Sequence, residues 1–294
     1  MMSFGDSITA GFAMKDGVKE YRSDSYGLGD GSDLTKSLYN YFKHYNNDII
    51  GGCKSDSIPM SKSCKGGYNG AVSGAVSGDI VDQIDEIKKR IIKDGNEDYI
   101  LNKWKYITIF IGANDACACK NPNHTPDKYE ANIDAALSKL EKEFPMSYVS
   151  LVGLFNISQV YTDAEQSSSK RCIKEIDYLK ECSCLNNNAT ERYMMDLQSI
   201  NFNQRLYKLQ DKYRNKQSNV FNVVIQPGFI KVNYGSWGEN YLSDIDCFHP
   251  SLCMNELFSL TLWNNMFEKI GSKTDTIDIH DNFNYFCPNE NYLT

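Results

Sequence analysis

The chain has 294 residues, 41% hydrophobic and 23% charged, enough for one large α/β domain with a substantial core and too balanced for wholesale disorder. Its formal net charge of -7 argues against nucleic-acid partners, which need a basic face, and against strong electrostatic docking on anionic membranes. No run of about 18 apolar residues occurs, so no transmembrane helix is expected.

Phe4-Gly5-Asp6-Ser7-Ile8-Thr9-Ala10-Gly11 reads as a strand end turning sharply into a helix or loop, with Ser7 at the turn. Such a turn exposes a hydroxyl and aims backbone N–H groups at whatever lies in front of it. Gly, Asp and Ser are also ordinary turn formers, so this stretch alone does not define a nucleophile. Met1-Met2-Ser3-Phe4 is short for a strand, which usually has about five residues. The expectation is that an N-terminal piece, carrying a signal peptide and the rest of the first strand, is missing. Ser7 would then be held less firmly than its partners.

Residues 15 to 32 form a polar, Gly-rich loop, whose Gly27-x-Gly29-x-Gly31 follows no strand and has the wrong spacing for a dinucleotide site. A helix is predicted over 33–45, with Leu34, Leu38, Tyr41, Phe42 and Tyr45 on one face. A second loop covers 51–67, and Tyr68 to Val72 reads as a short strand ending in Ser73-Gly74. Ile80, Ile84, Ile87 and Ile91 mark the next helix, with Asp79 near its start suiting the dipole. Tyr106 to Ile111 is the clearest strand, nearly continuous as expected for burial on both faces, and ends in Gly112-Ala113-Asn114-Asp115.

A helix over 129–144, a strand over 148–154, a polar cysteine-bearing excursion over 157–188, a long helix over 190–213 and a strand over 220–225 follow. Asp246 and His249 come after the last strand, before a final helix that Pro250 can open. The tail from 272 is polar, with Cys287 as its expected tie. Strands alternating with helices predict an α/β fold with a mostly parallel sheet of about five strands.

The ten cysteines are Cys53, Cys64, Cys117, Cys119, Cys172, Cys182, Cys184, Cys247, Cys253 and Cys287. With sequons at Asn123, Asn156 and Asn188, the even count points to an oxidising compartment and several disulfides. Zinc at the Cys-x-Cys pairs near His124 would need Cys-x2-4-Cys spacing and four ligands, so no metal is expected.

In a parallel sheet, function gathers at the carboxyl ends of the strands. Ser7, Gly74, Asn114 and the pair Asp246 and His249 all fall there. A serine hydroxyl needs a base that titrates near neutrality. Of the four histidines, His44 sits on a helix face, His124 in a polar loop and His280 in the tail. Only His249 has a strand end beneath it and a carboxylate, Asp246, three residues before it. Asp-x-x-His also suits an ordinary helix start. The backbone N–H groups of Ser7 and Gly74 and the Asn114 amide are candidate oxyanion donors, with Gly78 a rival to Gly74.

Phe4-Gly5-Asp6-Ser7, Asn69-x4-Gly74, Gly112-Ala113-Asn114-Asp115 and Asp246-x-x-His249-Pro250 resemble, in order and spacing, the four blocks of SGNH (GDSL-motif) hydrolases. Trp104-Lys105, Asn114-Asp115-x-Cys117, Asn121-Pro122, Cys182-Ser183-Cys184, Asp246-Cys247-Phe248-His249 and Leu262-Trp263-Asn264-Asn265-Met266 resemble the phospholipase B branch.

The resemblance covers nearly all of residues 4 to 274. It implies a three-layer α/β/α sandwich of flavodoxin-like kind, with Ser7 as nucleophile, His249 as base, Asp246 as its orienter, and Ser7, Gly74 and Asn114 as the oxyanion hole. By block position Gly74 is preferred to Gly78. It also implies an extracellular or lumenal enzyme, disulfide-bonded and glycosylated, releasing fatty acid from phospholipid or lysophospholipid, with no cofactor. A hydrolase domain over 1–271, a tail over 272–294 and a monomer are expected. Tyr234, Trp237 and Tyr241 are candidates for an acyl groove or for touching a lipid surface; ordinary packing is the alternative. The rival readings are an esterase on short acyl esters, such as acetylated carbohydrates, and an inactive lipid-binding relative. No Gly-x-Ser-x-Gly elbow is present, so an α/β-hydrolase is excluded by motif.

Overall fold

In the computed structural model the chain runs β1 (Met2–Gly5), α1 (Ser7–Ala10), α2 (Leu38–Tyr45), α3 (Ile80–Lys93), α4 (Glu97–Asn102), β2 (Lys105–Phe110), α5 (Ala113–Cys117) and α6 (Pro126–Glu143). It continues β3 (Ser147–Val152), α7 (Gln159–Gln166), α8 (Arg171–Leu179), α9 (Ser183–Asn186), α10 (Ala189–Arg214), β4 (Phe221–Gln226) and α11 (Leu252–Phe267). Residues 1–277 are described except 63, 167–169, 234–236 and 238, together with 279 and 285–288.

The four strands pair in parallel in the order β1-β2-β3-β4, with α3, α6 and α10 packed on one face and α2 and α11 on the other. This is the expected three-layer α/β/α arrangement. The sequence pattern explains most of it. All six residues of β2 are buried, as their continuous apolar run requires. Ile80, Ile84, Ile87 and Ile91 of α3 are all buried, with Asp82 in its first turn and Arg90 and Lys93 in its last, complementing the helix dipole. Thr125 caps α6 ahead of Pro126, Asn188 caps α10, and Ser251 rather than Pro250 caps α11.

Four expectations need correction. Tyr68 to Val72 does not form a fifth strand. It follows β1 through Ser3 N–H to the Tyr68 carbonyl (3.2 Å) and Gly70 N–H to the Ser3 carbonyl (2.8 Å), but only one bridge forms, Ser3 with Asn69. The segment keeps register as far as Val72, whose N–H donates to the Gly5 carbonyl at 3.1 Å, but the Gly5 N–H that would complete the next bridge is taken by Gln83 Oε1 at 2.9 Å. Leu34 is 88% exposed, because Ser37 caps α2 and starts it at Leu38. The first strand, although four residues long, is wholly buried and paired along its length with β2. Gln83 clamps its last residue, accepting the Gly5 N–H at 2.9 Å and donating to the Gly5 carbonyl at 2.8 Å. Ser7 is therefore not loosely mounted. Finally, Cys287 does not tie the tail. Tyr285 stacks on Trp263 at 5.3 Å, and the Trp263 indole N–H donates to the Phe286 carbonyl at 2.8 Å.

Eight cysteines form the pairs Cys53–Cys64, Cys117–Cys182, Cys119–Cys184 and Cys172–Cys247, so the sulfurs of both Cys-x-Cys pairs are bridged to one another. Three bridges fasten the 157–188 excursion, folded as α7, α8 and α9, to the end of α5 and the residues just after it and to the loop before α11. Closing a loop of 65 residues restrains the unfolded chain by about 4 kcal/mol in the chain-entropy model. Cys119–Cys184 runs beside Cys117–Cys182 and adds far less, since the first bridge has already closed that loop. Cys253 and Cys287 are free. Thiol titration of the unfolded, non-reduced chain should therefore count two thiols, rising to ten after reduction. Any other count before reduction contradicts this pairing.

Candidate active site

Gly5 must be glycine where β1 ends: a Cβ there would lie 2.3 Å from the Phe110 carbonyl oxygen and 2.4 Å from Thr9 Oγ1. Asp6 then caps α1, its Oδ1 accepting the Ile8 N–H at 3.0 Å. Burial pushes Asp6 up to about 7, although the Ile8 N–H opposes the shift. This places Ser7 at the first position of a short helix, where backbone N–H groups have no partner inside the helix.

Ser7 is only 8% exposed, and its hydroxyl donates to His249 Nε2 at 2.8 Å. His249 Nδ1–H in turn donates to Asp246 Oδ2 at 2.8 Å, and Asp246 Oδ1 accepts the N–H groups of Phe248 and His249, both at 2.9 Å. Cys247, between them, takes the left-handed φ of 54° that lets one carboxylate reach two N–H groups and the ring. The loop is anchored by Cys172–Cys247, by Ser243 N–H to the His249 carbonyl (2.8 Å) and by Ser243 Oγ–H to the Ala13 carbonyl (2.6 Å). The Phe12 ring meets the imidazole edge-on at 4.8 Å.

Burial alone would lower His249, but the hydrogen bond and charge of Asp246, followed by Glu181 and Asp6, outweigh it and raise the ring above its ordinary value. Burial would raise Asp246, but the ring and the two N–H groups hold it below the ordinary carboxylate range. The pair thus favours imidazolium beside carboxylate.

Gly74 adopts φ 84° with open space where a Cβ would stand, and its N–H has no partner among the described residues. The Asn114 amide donates one N–H to the Ala75 carbonyl at 2.9 Å, which leaves its second N–H for a ligand. Gly78 belongs instead to the turn Ser77–Asp79 that opens α3.

The 73–77 loop is braced by residues that the sequence reading left unassigned. Glu20 Oε1 accepts the Ser73 hydroxyl at 2.7 Å, and Asp115 accepts the Ser77 N–H and hydroxyl, both at 2.8 Å. Glu20 is fully buried and paired at 2.8 Å with the equally buried Arg22, whose guanidinium also donates to the carbonyls of Ser61, Asn69 and Ala71. Asp115 lay inside a recognised block. Glu20 and Arg22 lay in a stretch legible only as polar loop, and only their burial as charged residues betrays them.

Of the other candidates, Trp237 and Tyr241 pack against each other at 5.1 Å on the edge of the core, and the Tyr241 carbonyl accepts the Ser251 N–H at 3.0 Å. Tyr234 and His280 lie outside the described residues. His124 bonds Asp115 at 3.0 Å, and His44 packs on Tyr45. Among the described residues two groups present three ligand atoms within 4.8 Å. In Cys119, Cys184 and Glu191 the sulfurs form a disulfide; in Glu181, Asp246 and His249 both ring nitrogens are hydrogen-bonded. A cavity of about 990 Å³, lined by Met1, Tyr45, Trp104, Tyr106 and Trp263, lies at the amino ends of the strands, away from Ser7.

A parallel α/β/α sandwich with a hydrogen-bonded Ser, His and Asp beyond its strand carboxyl ends, together with unpaired N–H donors, fits a class: carboxylic ester hydrolases. The family model for "GDSL-like Lipase/Acylhydrolase" matches residues 1–259, and the chain belongs to that family. It is 26% identical over 312 residues to "Phospholipase B1, membrane-associated" of Homo sapiens, covering 98% of this chain and 21% of that protein. The Rattus norvegicus protein of the same description is 26% identical over 316 residues, again covering 98% and 21%. The chain spans about one fifth of the length of these relatives. A solved structure described as a putative GDSL-like lipase from Parabacteroides merdae ATCC 43184 overlaps loosely, at TM-score 0.47 and 14% identity, covering 90% of this chain and 93% of that one.

The electrostatics can be tested without turnover. In NMR titration the His249 ring should protonate above the ordinary value of about 6.5, and Asp246→Asn should lower it, because removing the carboxylate removes what favours imidazolium. A midpoint unmoved by Asp246→Asn contradicts the described pairing.

Proposed function

We propose that this chain releases fatty acid from phospholipid or lysophospholipid through an acyl-enzyme on Ser7. The observation that carries the proposal is the continuous relay from Ser7 Oγ through the His249 ring to Asp246, each contact 2.8 Å. In this mechanism His249 Nε2 takes the hydroxyl proton as Ser7 Oγ attacks the ester carbonyl carbon. Asp246 keeps the ring in the tautomer that can accept it.

The carbonyl oxygen becomes an oxyanion, held by the N–H groups of Ser7 and Gly74 and the free N–H of Asn114. The tetrahedral intermediate expels the alcohol, which leaves with the proton from His249. Water, activated by the same ring, then attacks the acyl group on Ser7 and returns the hydroxyl. The phospholipid class of substrate is supported by similarity to phospholipase B1 along 98% of this chain. A secreted or lumenal location is supported by four disulfides, which persist in oxidising compartments.

Product analysis on defined phospholipids, lysophospholipids and short acyl esters tests the substrate, with Ser7→Ala as the control. Fatty acid from the first two is expected, and none from Ser7→Ala. Turnover confined to short esters overturns the lipid assignment, and turnover by Ser7→Ala overturns the nucleophile. Asn114→Ala should lower kcat by roughly 10²-fold with the fold intact by circular dichroism, the usual cost of one oxyanion donor. An unchanged kcat removes Asn114 from the hole.

A further inference from the structure

The imidazole of His249 faces a second carboxylate that the relay above does not use. Glu181 Oε2 lies 3.3 Å from His249 Nδ1, on the same side of the ring as Asp246 Oδ2 at 2.8 Å. Asp246 has the better hydrogen bond and divides its charge between the ring and two backbone N–H groups. Among the described residues the Glu181 carboxylate has no other hydrogen-bond or ion-pair partner, and its side chain is only 28% exposed.

An unpaired surface glutamate would turn to water, since partial burial of an uncompensated charge is costly. Glu181 is instead held where it is from both sides. Lys180 ends α8 in the left-handed conformation, and α8 is tied by Cys172–Cys247 to the residue between Asp246 and the ring. On the other side Cys182 is bridged to Cys117, three residues beyond Asn114. The excursion thus delivers one carboxylate to the back of the imidazole, and two of its bridges fix that delivery.

We infer that Glu181 is a positioning residue of the catalytic relay, a second carboxylate that with Asp246 stabilises the imidazolium formed at His249 during acyl transfer. The inference rests on the reading of His249 as the base. The titratable groups facing the ring are Asp246 on its own loop, Glu181 on the link between α8 and α9, and Asp6 on the turn between β1 and α1.

Negative charge at Glu181 favours imidazolium over imidazole. In the free enzyme this raises the pH at which the base becomes neutral and active. In the transition state the same charge lowers the barrier. Burial, with Asp246 adding to it, raises Glu181 itself, so its charge is withdrawn as the solution turns acid. Being partly exposed, its contribution should also weaken with salt, unlike that of the buried Asp246.

The test is the pH profile of kcat and kcat/KM on a soluble p-nitrophenyl ester for the wild type, Glu181→Gln and Glu181→Asp, at low salt and in 1 M salt. Glu181→Gln should lower plateau kcat on the order of threefold to tenfold with KM unchanged, and should move the acid limb to lower pH. The two profiles should converge in acid and approach each other in 1 M salt. Glu181→Asp, which keeps the charge, should recover part of the loss. A fall in kcat with the acid limb unmoved would show a structural role and overturn the inference, as would profiles that superimpose. His249→Ala separates this from the underlying reading: retained turnover overturns the base itself, whereas abolished turnover with superimposed Glu181 profiles overturns only the role of Glu181.

Discussion

A hydrogen bond of 2.8 Å joins Ser7 Oγ to His249 Nε2 across 242 residues of sequence, and the rest of the structure can be understood as what makes that distance hold. Two loops from opposite ends of the chain must meet to within a few tenths of an ångström for the proposed proton transfer from the hydroxyl to take place. On the serine side the constraint is met by a four-residue strand, buried and register-locked to β2, with Gln83 gripping both backbone groups of Gly5. On the histidine side it is met by Asp246, which binds its own loop through two N–H groups before it binds the ring, and by the Cys172–Cys247 bridge. The Ser243 hydroxyl ties the two halves together directly at the Ala13 carbonyl.

The proposed oxyanion side is built differently. Its loop has no regular structure, and Gly74 keeps its N–H free only because both flanks are pinned by buried acids, Glu20 at Ser73 and Asp115 at Ser77. Glu20 pairs there with the equally buried Arg22 at 2.8 Å, and the Arg22 guanidinium also donates to the carbonyls of Ser61, Asn69 and Ala71. Removing one partner of such a pair typically costs about 3–5 kcal/mol, because the other charge is left buried alone. The arrangement fixes geometry: a loop pinned on both flanks leaves the Gly74 N–H without a partner among the described residues.

What could be read from the sequence was what local chemistry dictates. The isoleucine spacing of α3, the apolar run of β2 and the turn residues after each strand are properties of neighbours, and they placed Ser7, Gly74, Asn114, Asp246 and His249 at strand ends. What could not be read depends on residues far apart in the chain. Glu20 answers to Ser73, 53 positions away, and Glu181 meets His249 only because two disulfides carry it there. Tyr68 to Val72 has strand-like composition, but the Gln83 side chain takes the Gly5 N–H that would pair with it. Leu34 fits a helical stripe that Ser37 cuts short by capping after it. In each case a specific hydrogen bond or bridge, invisible to periodicity, overrides the pattern.

The central claim is that Ser7 carries the acyl group, and its most direct test is chemical. An activated phosphonate ester offers a phosphorus centre that a serine activated by this relay attacks and cannot readily release. After incubation, proteolysis and mass spectrometry, the account predicts one phosphonylated residue, Ser7, and loss of the adduct in His249→Ala. Labelling of another residue, or labelling of Ser7 that persists without His249, would contradict it.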